Sequence, residues 1–125
     1  FKLETRLAIK NIEKILSLGD KFLIDRGDLS KDIPIEMIPV IQRKIISLGI
    51  RMKKDIFVAT NFLESMLENN YSTRGEVNDI YNTLELGSKG LVLASETAIG
   101  KYPIECVKFL IKIIKVFNRY NHFTA

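Results

Sequence analysis

Four β-α units in succession, building a parallel sheet covered by helices, are what this sequence predicts. Two observations carry the prediction. Short apolar runs such as Phe22-Leu23-Ile24, Ile56-Phe57-Val58-Ala59 and Leu91-Val92-Leu93-Ala94 recur between segments of helical apolar spacing. Those runs do not alternate with polar residues, as half-exposed antiparallel strands would, so they belong in a parallel sheet with helices packed on it. At 125 residues with 46% hydrophobic content the chain is one domain with ample material for a core.

Each element has its own signal. Phe1-Lys2-Leu3-Glu4 reads as the end of a strand. From Ala8 to Leu18, Ile9, Ile12, Ile15 and Leu16 keep a helical spacing, with Gly19 as the expected C-cap. Phe22-Leu23-Ile24 is a buried strand closed by an Asp25-Arg26-Gly27-Asp28 turn. After Pro34 and Pro39, residues Ile38, Ile41, Ile45 and Leu48 share a helical face that ends before Gly49. Ile56–Ala59 is the third strand. Thr73-Arg74-Gly75-Glu76 has capping-box spacing and opens a helix through Val77, Ile80, Tyr81 and Leu84 to Gly87. Leu91–Ala94 is the fourth strand, and a long helix runs from Pro103.

Composition excludes several function classes. A single Cys106 and a single His122 leave no disulfide framework, no Cys/His zinc site and no well-placed catalytic triad. Nineteen basic against fifteen acidic residues give a net charge of +4, too small an excess to point to nucleic acid or an anionic membrane. No apolar run approaches the roughly 18 residues of a membrane span, and Lys2, Glu4 and Arg6 do not suit a signal peptide. The expected compartment is therefore cytoplasmic. Opening on Phe1 without a Met, the chain reads as part of something longer.

In parallel α/β folds, ligands bind where polar residues gather past the C-terminal ends of the strands. Here those residues are Lys2 and Glu4, then Asp25 to Asp28, then Thr60-Asn61, then Ser95-Glu96-Thr97. Lys2 and Glu4 are two apart and share one side of their strand. Glu4 and Asp28 lie 24 residues apart, about one βα repeat, which puts both carboxylates on neighbouring strand ends. Two carboxylates without His or Cys suit a hard cation, Mg²⁺ or Mn²⁺. The turn at Gly27 offers backbone N–H groups to a carboxylate or phosphate. Lys2 is placed to neutralise a transferring phosphoryl group or an enolate. Spacing alone leaves open that these are simply solvated charges.

The same residues resemble a known family. Lys2-Leu3-Glu4 is similar to the Lys-Ile-Glu motif of pyruvate kinase, and Phe22-Leu23-Ile24-Asp25-Arg26-Gly27-Asp28-Leu29 to its Val-Ala-Arg-Gly-Asp-Leu strand, with Ile33-Pro34 following. Val58-Ala59-Thr60-Asn61-Phe62-Leu63-Glu64-Ser65-Met66, Thr73–Val77 and Glu96–Pro103 resemble three further blocks. The resemblance implies that the chain is the second half of a TIM-type (β/α)₈ barrel, four βα units over residues 1–125. It implies Lys2 as the catalytic lysine that stabilises phosphoryl transfer, and Glu4 and Asp28 as ligands of Mg²⁺ or Mn²⁺. Gly27 and Asp28 would bind the carboxylate of phosphoenolpyruvate or pyruvate, and Thr60 would stand near the carbon that is protonated. Transfer between phosphoenolpyruvate and ADP in glycolysis is the implied reaction. The contacts to ADP or ATP and a K⁺ site would lie outside this chain, so the piece by itself is expected to be inactive.

Several positions depart from the family pattern. Asp25 replaces an Ala and adds a carboxylate beside the expected metal. Asn61-Phe62 replaces Gln-Met, Ala94-Ser95 replaces Ser-Gly, Ile99 replaces a Lys, and Arg6-Leu7-Ala8 replaces a Gly-containing stretch. Two other functions stay open: metal-dependent enolate chemistry of the aldolase or decarboxylase kind, and a non-catalytic half-barrel used for assembly or ligand sensing. Raw sheet edges predict completion by a missing half or by a second copy, hence a homo-oligomer. Lys108, Lys112, Lys115 and Arg119, opposite Val107, Leu110, Ile111, Ile114 and Phe117, read as the solvated face of the last helix. Cys106 reads as a packing residue and His122 as a fraying terminus.

Overall fold

In a computed structural model, which describes residues 1–121, four strands form one parallel sheet. They are β1 (Lys2–Leu3), β2 (Lys21–Asp25), β3 (Asp55–Ala59) and β4 (Gly90–Val92), in the spatial order β1-β2-β3-β4. Leu3 pairs with Ile24, Ile24 with Val58, and Val58 with Leu91, so each strand lies beside its sequence neighbour. The expected α/β class and parallel pairing hold. His122 lies outside the described residues.

The chain divides into two compact units. The first holds residues 1–60 and 86–92, including the whole sheet. Its helices are α1 (Arg6–Lys10), α2 (Ile12–Leu16), α3 (Arg26–Asp32) and α4 (Ile38–Arg51), the last preceded by a 3₁₀ turn at Ile35–Met37. Phe22, Ile24, Ile56 and Val58 on one face of the sheet are buried, as are Ile12, Leu16, Leu29, Ile45 and Ile46 from the helices. Leu23 and Phe57 alternate with them in sequence, point to the other face and are half-buried. Burial of each large core side chain contributes about 1.5–3 kcal/mol, so these contacts hold the sheet against its helices.

The second unit holds residues 61–85 and those from 93 onward. It contains a 3₁₀ turn at Glu64–Leu67, α5 (Arg74–Glu85), α6 (Ser95–Ala98) and α7 (Pro103–Tyr120). Phe62, Leu63, Met66, Ile80, Cys106, Leu110 and Ile113 are its buried apolar residues, and Tyr81 meets Phe117 edge-on at 5.3 Å. Cys106 is buried, as a packing residue should be. The four basic residues of α7 are exposed as expected, but Val107 and Ile111 are exposed beside them. The buried stripe runs instead through Cys106, Leu110 and Ile113, rotated from the sequence reading.

Local chemistry explains where elements differ from expectation. The helix read over Ala8–Leu18 is two short ones. Thr5 caps the start of α1 through Ala8 N, and Asn11 breaks the run with its side-chain amide on the Leu7 carbonyl, 3.0 Å. α2 stops at Leu16 with Ser17 as its cap, short of Gly19. Gly49 does not end α4, which continues to Arg51. A Cβ there would collide with the Ile56 side chain, so glycine lets the helix lie close on β3. The turn expected at Asp25–Asp28 is the start of α3. β4 begins at Gly90 and leaves the ladder after Val92, because the Ala94 N–H is engaged by Glu96.

Candidate functional site

The end of β1 and the segments just past β2 and β3 bring Lys2, Glu4, Gly27, Asp28 and Thr60 together within the first unit. Lys2 stands at the centre. Its ammonium lies 3.2 Å from Glu4 Oε2, 3.2 Å from Asp25 Oδ2 and 3.7 Å from Asp28 Oδ2. Lys31, one turn along α3, reaches Asp28 Oδ1 at 3.2 Å. Glu4, Asp25 and Asp28 each offer an oxygen within 4.8 Å of the others. Among the described residues this is the one group of three acidic or His/Cys side chains so arranged.

The local sequence builds this cluster. β1 ends at Leu3, so Glu4 is free of the ladder but still on the side of Lys2. Asp25 is both the last residue of β2 and the N-cap of α3, its Oδ1 accepting from Asp28 N at 3.1 Å. That cap turns the chain so that Asp28, three residues on, faces back toward Lys2. Hydrogen bonding to Glu4, and next to Asp25, pushes the Lys2 ammonium above its ordinary range. The Lys31 ammonium holds the Asp28 carboxyl below its own.

Thr60 is held by a second set of contacts. Its φ of 78° is an outlier for a β-branched residue, and Asn61 follows at 62°. The Arg26 guanidinium straddles the Thr60 carbonyl, with Nε at 3.1 Å and Nη2 at 2.6 Å. The Thr60 hydroxyl donates to the Ala59 carbonyl at 2.6 Å and accepts from Gly27 N at 2.7 Å. Both backbone N–H groups assigned to a substrate carboxylate, at Gly27 and Asp28, thus already have partners, Thr60 and Asp25.

Arg26 lies in the Asp25–Asp28 strand-end stretch, but its spacing assigns it no role of its own. An Arg directly before the Gly of a strand-to-helix turn is the only signal it gives, and fork geometry cannot be read from spacing. Glu96, a strand-end polar residue by sequence position, belongs to the second unit and is 2% exposed. It accepts from Leu63 N and Ala94 N, both at 3.0 Å, and so fastens two backbone segments. Ile99, where the family pattern has a Lys, is exposed in that same unit.

The donor set is all hard oxygen and converges on a point already taken by a cation, the Lys2 ammonium. That is the chemistry Mg²⁺ or Mn²⁺ requires, so the residues fit such an ion.

Comparison with known proteins gives one family. The model of the pyruvate kinase barrel domain matches residues 1–107. A pyruvate kinase of Thermotoga maritima is 45% identical over 114 residues, covering 91% of this chain and 24% of that protein. One from Methanocaldococcus jannaschii is 42% identical over 119 residues, covering 95% of this chain and 27% of the relative. Pyruvate kinase isozyme G, chloroplastic, from Nicotiana tabacum is 41% identical over 109 residues, 87% of the chain and 19% of that protein. The chain spans about a quarter of the length of the curated relatives it matches.

Proposed function

Because the chain belongs to the pyruvate kinase family, within its barrel domain, we propose that it carries the cation- and oxoacid-holding part of a site for phosphoryl transfer between phosphoenolpyruvate and ADP. The observation that supports this most is the meeting of Lys2, Glu4 and Asp28 at adjacent strand ends. Glu4 and Asp28 hold Mg²⁺ or Mn²⁺ in this reading. The bound ion supplies charge neutralisation at the substrate oxygens. Lys2, tied to the carboxylates while the site is empty of substrate, turns its ammonium to the transferring phosphoryl group. The N–H groups of Gly27 and Asp28 receive the substrate carboxylate after exchanging their bonds to Thr60 Oγ1 and Asp25 Oδ1. The released Thr60 hydroxyl then faces the carbon that gains a proton.

Nucleotide and K⁺ contacts belong to barrel parts outside this chain, in line with the quarter-length match. β1 and β4 are the outer strands of the sheet, and completion by further barrel strands or by a second copy would cover them. No helix among the described residues is long and apolar enough to cross a membrane. A cytoplasmic location is proposed, with the chloroplastic relative marking an organellar alternative. One observation favours a non-catalytic half-barrel used for assembly as second reading: the Asp25 carboxylate sits on the N–H that an oxoacid ligand would need.

Titration of the 125-residue chain with Mn²⁺, followed by paramagnetic resonance, tests the site. The wild type should bind, phosphoenolpyruvate or pyruvate should alter the bound-ion spectrum, and Glu4→Gln with Asp28→Asn should lower affinity at least about a hundredfold. Equal affinity in the double variant would overturn the proposal.

A further inference from the structure

We infer that Asp25 is a third carboxylate ligand of the divalent cation, held ready for it by its own capping bond. The inference rests on the cation site proposed above and extends it to a residue outside the family pattern. The two oxygens of Asp25 have different tasks. Oδ1 accepts from Asp28 N at 3.1 Å, which fixes the side chain, while Oδ2 points at the Lys2 ammonium, 3.2 Å away. Lys2 Nζ thereby acts as a stand-in cation: Glu4 Oε2 and Asp28 Oδ2 converge on the same atom, at 3.2 and 3.7 Å. The side chain of Asp25 is 12% exposed, against 37% for Glu4 and 40% for Asp28. Of the three it is the most buried, and an oxygen already fixed loses the least freedom on ligation.

A third carboxylate has two chemical consequences. It replaces one water in the octahedral shell of Mn²⁺ or Mg²⁺ and adds one negative charge to the seat. The dication must also displace Lys2, because both answer to the same three oxygens.

Asp25→Asn separates capping from ligation, since the amide oxygen still accepts from Asp28 N. Asp25→Ser, which also caps, is the second variant should the first fold poorly. Mn²⁺ affinity would be measured by paramagnetic resonance and the number of bound waters by water-proton relaxation, on the whole chain. The expected result is an affinity at least about tenfold lower, with one more water on the ion. Lower affinity with unchanged hydration would mean that Asp25 acts only through its charge, and would overturn direct ligation. Unchanged affinity and hydration would overturn the inference while leaving Glu4 and Asp28 as ligands. A wild type that binds no Mn²⁺ would overturn both readings together.

Discussion

Carboxylates in the two units of this molecule are used in opposite ways. In the second unit Glu76 and Glu96 are surrounded by donors. Glu96 takes two backbone N–H groups, and Glu76 takes those of Ser65 and Thr73 together with the hydroxyls of Ser65 and Ser72. In the first unit Glu4, Asp25 and Asp28 face one another across a single lysine. The former arrangement satisfies backbone groups that folding would otherwise strand. The latter gathers three carboxylates around the Lys2 ammonium, with Lys31 also on Asp28, and leaves no backbone N–H among the described residues for Glu4 or Asp28 to satisfy. Glu76 and Glu96 point at N–H groups and build the fold; Glu4, Asp25 and Asp28 converge on one ammonium, and of these Asp25 alone also caps a backbone N–H.

The strongest way to break this contrast is to remove one residue of each kind. Glu96→Ala should cost about 3 kcal/mol or more in chemical denaturation, because two N–H groups in a buried setting lose a charged acceptor. Glu4→Gln, at a half-exposed carboxylate among like charges, should change stability by no more than about 0.5 kcal/mol. Comparable losses in the two variants would abolish the distinction.

A smaller effect is expected at the clamp beside the cluster. Arg26→Met removes the fork on the Thr60 carbonyl and should cost about 2 kcal/mol. Arg26→Lys, which keeps the charge without the planar fork, should recover only part of that in the same melts.

The smallest effect is a pH dependence. Burial, the largest single influence on Glu76, raises its pKa, but the Ser65, Thr73 and Ser72 bonds together outweigh it and hold the carboxyl below its ordinary 4.5. A lowered folded-state value means that the unfolded chain binds the proton first as pH falls. The stability Glu76 contributes is therefore complete above about pH 4.5 and is lost as pH falls through the lowered value. Asp28 has the same sign through its exposed pair with Lys31. Raising salt to about 0.5 M should flatten the Asp28 share and spare that of Glu76. Glu76→Gln should remove the salt-resistant part of the acid slope.

What was legible in the sequence follows the range of the forces involved. Apolar runs and helical periods marked the strands and the long helices, because burial repeats along the chain. The capping box at Thr73–Glu76 formed as its spacing requires, with Thr73 N on Glu76 Oε1 at 3.0 Å and Glu76 N on Thr73 Oγ1 at 3.2 Å. Short helices carry no such mark. α3 has seven residues, includes Gly27 and buries only Leu29, so it has no period to detect. At the site, the 24-residue interval placed Glu4 near Asp28 correctly. The double use of Asp25 and the grip of Arg26 on Thr60 depend on side-chain directions across 34 or fewer residues of chain, which spacing does not encode.

The backbone at Thr60 makes residue choice there a contest. A φ of 78° is glycine's territory, and a β-branched side chain in it costs about 1–3 kcal/mol. Glycine would avoid most of that cost, less the roughly 0.4–1 kcal/mol of freedom it adds to the unfolded chain. What glycine lacks is the hydroxyl that meets Gly27 N and the Ala59 carbonyl. Selection for heat resistance alone would thus pull position 60 toward residues at ease in left-handed backbone. Selection for whatever the hydroxyl touches would pull it back to threonine. Such a position is a natural indicator of which demand a lineage has been under, because the two demands ask for different side chains on the same bent peptide.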